Sequence, residues 1–433
     1  MILRKILIMF LLSLLSIAVL QATAPESFAG SWEGGISIMG MELPILVDFV
    51  QTEELKAYIS IPAQGLKTQQ LKIIRHESEE VVFLLAIAGA DAIFSGKREG
   101  AKLTGSFEQA GHKGTFNLIY KGKYEAVEGK PVILPKGAIE EETFLKTYMG
   151  NLYGRMMLPE KRKDLTLVLM IAGSGPTDLD GNSPVLPGKN DSHLMMAIGL
   201  AENGIASLRY DKRGVGKSSS AYIDEKELRV GHFAADVSGW IELMRKDSRI
   251  KRIVVMGHSE GSLLGMLAAQ NSRIDGFISL AGAGRKFQDV LRGQLLKEGS
   301  EAYFPEIEEI LSALNAGKQV EKVSHELSSI FRPSVQPYLI SMFETDPQQL
   351  ISKLTMPVLI IQGGTDIQIS VQDAELLAKA NPKARYILIK GMNHVLKPAP
   401  PDLAENLKTY FDPDIPLADG LMQAIVEFCR GVE

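Results

Sequence analysis

From Pro131 onward one pattern dominates the chain: short apolar runs, rich in Val, Ile and Leu, separated by longer stretches of helical character. The runs lie at 165–172, 205–210, 250–257, 276–281, 358–363 and 386–390. Runs this apolar suit strands buried on both faces. Their alternation with helical segments predicts a mainly parallel sheet covered by helices, an α/β unit. Between Arg285 and Leu354 the runs stop, and the pattern predicts helices such as 301–314 and 319–330. That stretch, about 285–354, reads as a helical cap inserted into the unit.

Before Gly129 the grammar differs. Short strands predicted at 43–50, 55–61, 81–87 and 115–120 are separated by Gly, Asn and charged turn residues. They predict a small all-β domain, an antiparallel sandwich or half-barrel. Its opening Gly30-Ser31-Trp32 resembles the start of lipocalin-like barrels. No ionisable cluster here carries chemistry, so packing or substrate gating is its expected job. At 433 residues the chain exceeds one ordinary core, and the domains are read as 25–123 and 124–433.

Residues 1–24 read as a secretory signal peptide. Arg4 and Lys5 precede an apolar run over 6–20, broken only by Ser13 and Ser16, and small residues follow at Ala22-Thr23-Ala24. The run is shorter than the roughly 18–20 residues that span a bilayer, so a cleaved signal is preferred to an anchor. No stable membrane anchor is then expected, and the protein should be exported, periplasmic or secreted. Cleavage removes two positive charges and takes the net charge from −5 to −7. No block of like charge suits nucleic acid or a membrane surface, so neither is an expected partner. The single Cys429 cannot form an internal disulfide and does not decide the compartment.

The sharpest chemical feature is Gly257-His258-Ser259-Glu260-Gly261, between the apolar strand ending at Met256 and a helix-like stretch starting at Ser262. A serine hydroxyl is a useful nucleophile only when held proud of the sheet edge on a tight strand-to-helix turn. Glycines two residues before and after leave room for that turn. Gly261, Gly265 and Ala269 recur every four positions, which lets the helix lie close to the sheet. A nucleophile needs a base, and the base an orienting acid. Asp366 stands just past the run at 358–363, and His394 just past the run at 386–390. Parallel strands bring their C-terminal ends to one edge, so Ser259, Asp366 and His394 could converge there. Asp373 is the competing acid, in a helical pattern; His258 should point away from the serine.

The order and setting of these residues resemble the α/β-hydrolase superfamily over about 131–433. Within it, they resemble bacterial serine esterases and hydrolases carrying an Ala/His-Gly-Ser-Gly-Pro-Thr-Asp-x-Asp-Gly-Asn segment. Here the segment runs from Ala172-Gly173-Ser174-Gly175 to Asp180-Gly181-Asn182, with Ala172 where that family often has His. A Gly-rich loop at a strand end suits a backbone oxyanion donor, from Gly173 or Ser174, with the N–H of Glu260 as the second. Asp178, Asp180 and Asn182 have oxygen-ligand character without the spacing of an EF-hand, and no metal site is expected. The turn Asp211-Lys212-Arg213-Gly214-Val215-Gly216-Lys217-Ser218 lacks the first glycine of a P-loop. It is similar to a structural turn of α/β-hydrolases, which implies scaffolding.

The expected function is hydrolysis of small-molecule carboxylic esters of short or medium acyl chain through an acyl-enzyme, with no cofactor. An exopeptidase or amidase is the alternative, because a Ser-Glu-Gly elbow and a β-rich N-terminal domain also occur in peptidase branches. A thioesterase or acyltransferase, and a non-catalytic binding protein on the same scaffold, are further readings.

Overall fold

Residues that alternate apolar and polar along a strand bury one face, and a sheet curled onto itself buries that face completely. The computed structural model describes residues 27–38, 41–52, 54–61, 66–85, 91–109, 112–124, 133–183, 189–296, 301–324 and 326–432. The expected signal at 1–24 lies outside the described residues, as does the segment 125–132. The described chain falls into two compact units, 27–124 and 133–432.

The first unit holds eight antiparallel strands: β1 (Gly30–Ile38), β2 (Met41–Gln51), β3 (Leu55–Ile61), β4 (Leu66–His76), β5 (Glu80–Leu85), β6 (Ala92–Glu99), β7 (Lys102–Gln109) and β8 (His112–Gly122). Each pairs with its neighbour in sequence, and β1 pairs with β8 to close a barrel, with Trp32 opposite Tyr120 and Ile36 opposite Phe116. The unit is therefore a closed barrel where the sequence suggested a sandwich or half-barrel. Pairing β1 with β8 leaves no exposed sheet edge. Along β6 the alternation is plain: Ala92 and Phe94 are buried while Ile93 and Ser95 are exposed. Inside, Phe83 stacks on Phe94 at 4.8 Å and meets Phe49 and Phe116 edge-on at 5.7 and 6.0 Å. Aromatic side chains thus fill this interior.

The second unit is built on β9 (Ile139–Thr147), β10 (Gly150–Leu158), β11 (Leu165–Ile171), β12 (Ala206–Tyr210), β13 (Ile250–His258), β14 (Gly276–Leu280), β15 (Val358–Gly363) and β16 (Arg385–Ile389). They lie side by side in the order β16-β15-β14-β13-β11-β12-β10-β9. The six predicted runs form the parallel part, and the β9–β10 hairpin adds two antiparallel strands beside β12. On β11, Leu167, Leu169 and Ile171 face one core layer while Val168 and Met170 face the other. Helices α1 (Ser192–Glu202), α2 (Val230–Arg245) and α3 (Glu260–Ala269) follow β11, β12 and β13. α2 and α3 pack on the first layer and α1 on the second.

Between β14 and β15 come α4 (Phe287–Leu295), α5 (Phe304–Asn315), α6 (Ser328–Phe331), α7 (Gln336–Phe343) and α8 (Pro347–Ser352). α9 (Val371–Ala380), α10 (Leu403–Lys408) and α11 (Leu421–Gly431) complete the unit. The helix expected over 319–330 does not form; only its end enters α6. Side chains take the backbone bonds that a helix would use. Gln336, fully buried, accepts from Val320 N at 2.7 Å and donates Nε2 to the carbonyls of Val320 and Phe331 at 2.8 and 2.7 Å. Ser324 N donates to Glu306 Oε1 at 2.7 Å. Gln336→Leu should strand these buried groups and cost about 1–3 kcal/mol of stability. Denaturant unfolding would show it as a lower midpoint at unchanged slope; an unchanged midpoint would mean the amide does not hold the segment.

Candidate active site

Backbone geometry comes first, because it decides where the serine stands. Ser259 stands between the end of β13 and the start of α3 with φ 54 and ψ −121, a conformation that a residue with a side chain rarely takes. Two close approaches hold it there. A Cβ on Gly257 would lie 2.2 Å from the Gly261 carbonyl oxygen, and one on Gly261 would lie 2.3 Å from that of Ile171. Only hydrogen fits at either position. Ser259 N donates to Leu280 O at 2.9 Å, which ties the turn to β14.

The loops after β15 and β16 interlock. Gly364 N donates to Ile389 O at 2.9 Å and Thr365 N to Met392 O at 3.0 Å. They bring Asp366 and His394 together: His394 Nδ1 lies 2.8 Å from Asp366 Oδ2, with both side chains buried. An ionised carboxylate only accepts, so Nδ1 carries the hydrogen and Nε2 keeps the lone pair. Asp366 Oδ1 accepts from Gln368 N at 2.8 Å and Ile369 N at 2.9 Å, and Gln362 Nε2 reaches Oδ2 at 3.2 Å. Burial works to raise this carboxyl, but the His394 ring and the backbone donors outweigh it and hold it below the usual carboxylate range. Among the hydrogen bonds of the described residues, none joins Ser259 Oγ to His394. Bonds of this kind are often long in resting sites and tighten around a substrate.

Asp373 is committed elsewhere. Its oxygens accept from Arg285 Nε at 3.0 Å and Nη2 at 2.7 Å, and from Ser370 Oγ at 2.6 Å. Asp178, Asp180 and Asn182 are used inside their own turn and against Arg209. Asp178 Oδ1 accepts from Asp180 N at 3.0 Å and Asn182 N at 2.8 Å, while Asp180 pairs with Arg209. In the scaffolding turn, Asp211 accepts from Leu179 N and Lys217 N, both at 2.9 Å.

Ser174, Ser259, Glu260 and Arg285 share the wall of a cavity of about 110 Å³, with Leu263, Phe287, Val290, Met342 and Ile369 as apolar lining. Of the aromatic side chains between β14 and β15, Phe287 lines this cavity, while Phe331 and Phe343 are packed in the core. Tyr338 does something else: its hydroxyl donates to Glu260 Oε1.

Several residues of the site carried no readable sequence signal. Lys212, inside the scaffolding turn, reaches the site through contacts with Gly173 and Glu260. Asn393 is fully buried and pins the His394 loop through Asn406 and Thr409 at 3.1 and 2.6 Å. His258 Nε2 donates to the carbonyl of His394 at 2.7 Å, so the residue before the serine holds the loop that bears His394. Burial, then the neighbouring His394 and His193 rings, depress His258 to about 3 from an ordinary 6.5. It stays neutral and folded above that range, while in the unfolded chain it takes up a proton below 6.5. Its contribution is therefore full above pH 6.5 and is lost as pH falls toward 3. The stability gap between the protein and His258→Gln should narrow over that window. Parallel denaturation curves from pH 8 downward, giving about the same gap throughout, would refute the neutral buried ring.

The family model described as serine aminopeptidase, S33, matches residues 193–397, a stretch that contains Ser259, Asp366 and His394. The chain is 27% identical to Esterase EstD of Thermotoga maritima over 341 residues, 75% of this chain and 74% of that protein. Among solved structures it is similar to Est1E from Butyrivibrio proteoclasticus with ferulic acid bound, at 17% identity and TM-score 0.43, covering 67% of this chain and 96% of that one. It is also similar to the Pyrococcus furiosus esterase Pf2001, at 13% identity and TM-score 0.44, covering 70% and 98%. With its strand order, its elbow after β13 and its loops after β15 and β16, the second unit has the sheet of the α/β-hydrolase fold, and a closed β-barrel precedes it in the chain.

Proposed function

We propose that this chain hydrolyses carboxylic esters of short or medium acyl chain, with Ser259 as nucleophile, His394 as general base and Asp366 orienting the ring. It is a hydrolase of the carboxylesterase type. The observation that carries the residue roles is the 2.8 Å bond between His394 Nδ1 and Asp366, which leaves Nε2 free to take a proton at the sheet edge where Ser259 stands. Ser259 Oγ attacks the ester carbonyl carbon as its proton passes to His394 Nε2, and the carbonyl π pair moves onto oxygen. Collapse expels the alcohol, which takes that proton, and leaves the acyl group on Ser259. Water then attacks the acyl carbon, giving a proton to His394, and the acid departs as Ser259 regains its hydrogen. Backbone N–H groups beside the cavity, from Gly173 or Ser174 and from Glu260, stabilise the oxyanion.

An aminopeptidase is the second reading, favoured by the description of the matching family model. A free peptide N-terminus needs an anchoring carboxylate. Glu260 is the acid among the described residues that line the cavity, and both its oxygens are taken, by Lys212 and Tyr338. The apolar lining and this occupied carboxylate support the ester reading. The helical segment between β14 and β15 supplies Phe287, Val290 and Met342 to the wall and is proposed as the cap that selects the acyl group. The basic and apolar features of residues 1–24 support export.

Nitrophenyl esters of graded chain length and aminoacyl anilides, assayed side by side, test the substrate class. Esters should turn over faster, with a fall-off at long acyl chains; faster anilide turnover would move the assignment to the peptidase reading. Ser259→Ala should lower kcat by up to about 10⁶-fold. Equal rates in the variant would remove Ser259 from the mechanism.

A further inference from the structure

A lysine ammonium is rarely buried unless its charge and its hydrogens all find partners. Lys212 is 4% exposed. Its Nζ donates to the Gly173 carbonyl at 2.8 Å and to Glu260 Oε2 at 3.0 Å, and it stands 4.7 Å from the centre of the Phe233 ring on α2. The other oxygen of Glu260 accepts from Tyr338 on α7. One ammonium therefore touches both arms proposed to hold the oxyanion, the loop after β11 and the first residue of α3.

That contact also bears on which amide of the loop donates. A trans peptide is planar, and its C=O and N–H point in opposite directions. The Gly173 carbonyl turned toward Lys212 sends the N–H of Ser174, in the same plane, the other way. Ser174 shares the cavity wall with Ser259 and Glu260, whereas Gly173 is not among the residues of that wall. We propose that Lys212 is a positioning residue: it fixes the peptide joining Gly173 to Ser174, so that the N–H groups of Ser174 and Glu260 are the two oxyanion donors. This rests on the esterase reading of Ser259.

The test is Lys212→Met, read with a nitrophenyl ester and an aryl trifluoromethyl ketone. The ketone carbon bonds to Ser259 Oγ, the hydroxyl proton passes to His394, and the carbonyl pair becomes an oxyanion in the same place. Misplaced donors should lower kcat about 10- to 100-fold with little change in KM. Affinity for the trifluoromethyl ketone should fall by the same factor, while that for the matching methyl ketone, which forms no adduct, stays level. A merely structural loss would not single out the oxyanion-forming ligand. The single change leaves the Glu260 carboxylate buried without its cation; if that variant does not fold, Lys212→Met with Glu260→Gln removes both charges and carries the same expectation. A folded variant with unchanged kcat and unchanged trifluoromethyl ketone affinity overturns the proposal. Ser259→Ala separates the two claims. Ester turnover surviving in Ser259→Ala sinks the esterase reading itself, whereas its loss beside an unimpaired Lys212→Met sinks only the role of Lys212.

Discussion

A side chain at positive φ costs free energy that its surroundings must offset, and Ser259 sits in such a conformation at the joint of β13 and α3. The offset comes from contacts that admit no other arrangement. The Gly261 α-carbon lies against the end of β11, Gly257 lies against Gly261, and Gly265 brings α3 down onto Phe277 and Val255. Relaxing the serine would drive the helix off the sheet and open a core in which Val255, Leu264 and Phe277 are almost wholly buried. Burial of each such side chain contributes about 1.5–3 kcal/mol, against roughly 1–3 kcal/mol for one strained residue. The packing term is the larger, and the strained turn persists.

The same logic extends outward from the turn. His258, the residue before the turn, spends its Nε2 hydrogen on the carbonyl of His394. Asn393 and the bonds between the loops after β15 and β16 brace that segment from its other side. A row of rings follows, with His394 4.9 Å from His258 and His258 6.1 Å from His193. Burial depresses both inner histidines, His193 to about 4 and His258 to about 3. Neither adds a positive charge that would oppose an imidazolium on His394.

How much of this was legible follows from what kind of information each feature needs. Strands buried on both faces declare themselves as apolar runs, and all six parallel strands were readable within a residue or two. β9 and β10 were not: Ile139–Thr147 carries Glu140, Glu141 and Glu142, which face ion pairs with Arg155, Arg209, Arg249 and Lys217 rather than a core, and the apolar residues of Gly150–Leu158 are interrupted by Gly154 and Arg155. The stretch 319–330 has apolar spacing that suits a helix, yet Gln336 and Glu306 capture its backbone; that contest is decided by tertiary partners and leaves no local trace. Closure of the barrel likewise depends on β1 meeting β8, far apart in sequence. At the candidate site, Ser259, Asp366 and His394 could be proposed from sequence because each follows a strand end. Lys212 could not, since its partners, Gly173 and Glu260, lie on two other loops.

The charges around the cavity are settled among themselves before any substrate arrives. Glu260 is bound by Lys212 and Tyr338, and Arg285 by Asp373, so the two charged residues among the described residues lining the wall are both paired. A cationic substrate would have to draw Glu260 away from Lys212 and leave that ammonium buried and alone, at a cost of several kcal/mol. A neutral ester meets no such demand in its ground state. Under the proposed mechanism its charge develops only as the carbonyl oxygen becomes an oxyanion, where the proposed amide donors and the N-terminus of α3 would act on it without having to reorganise. A wall that is apolar in its lining, with its one carboxylate already paired, thus favours the transition state of a neutral acyl donor over the binding of a cationic one.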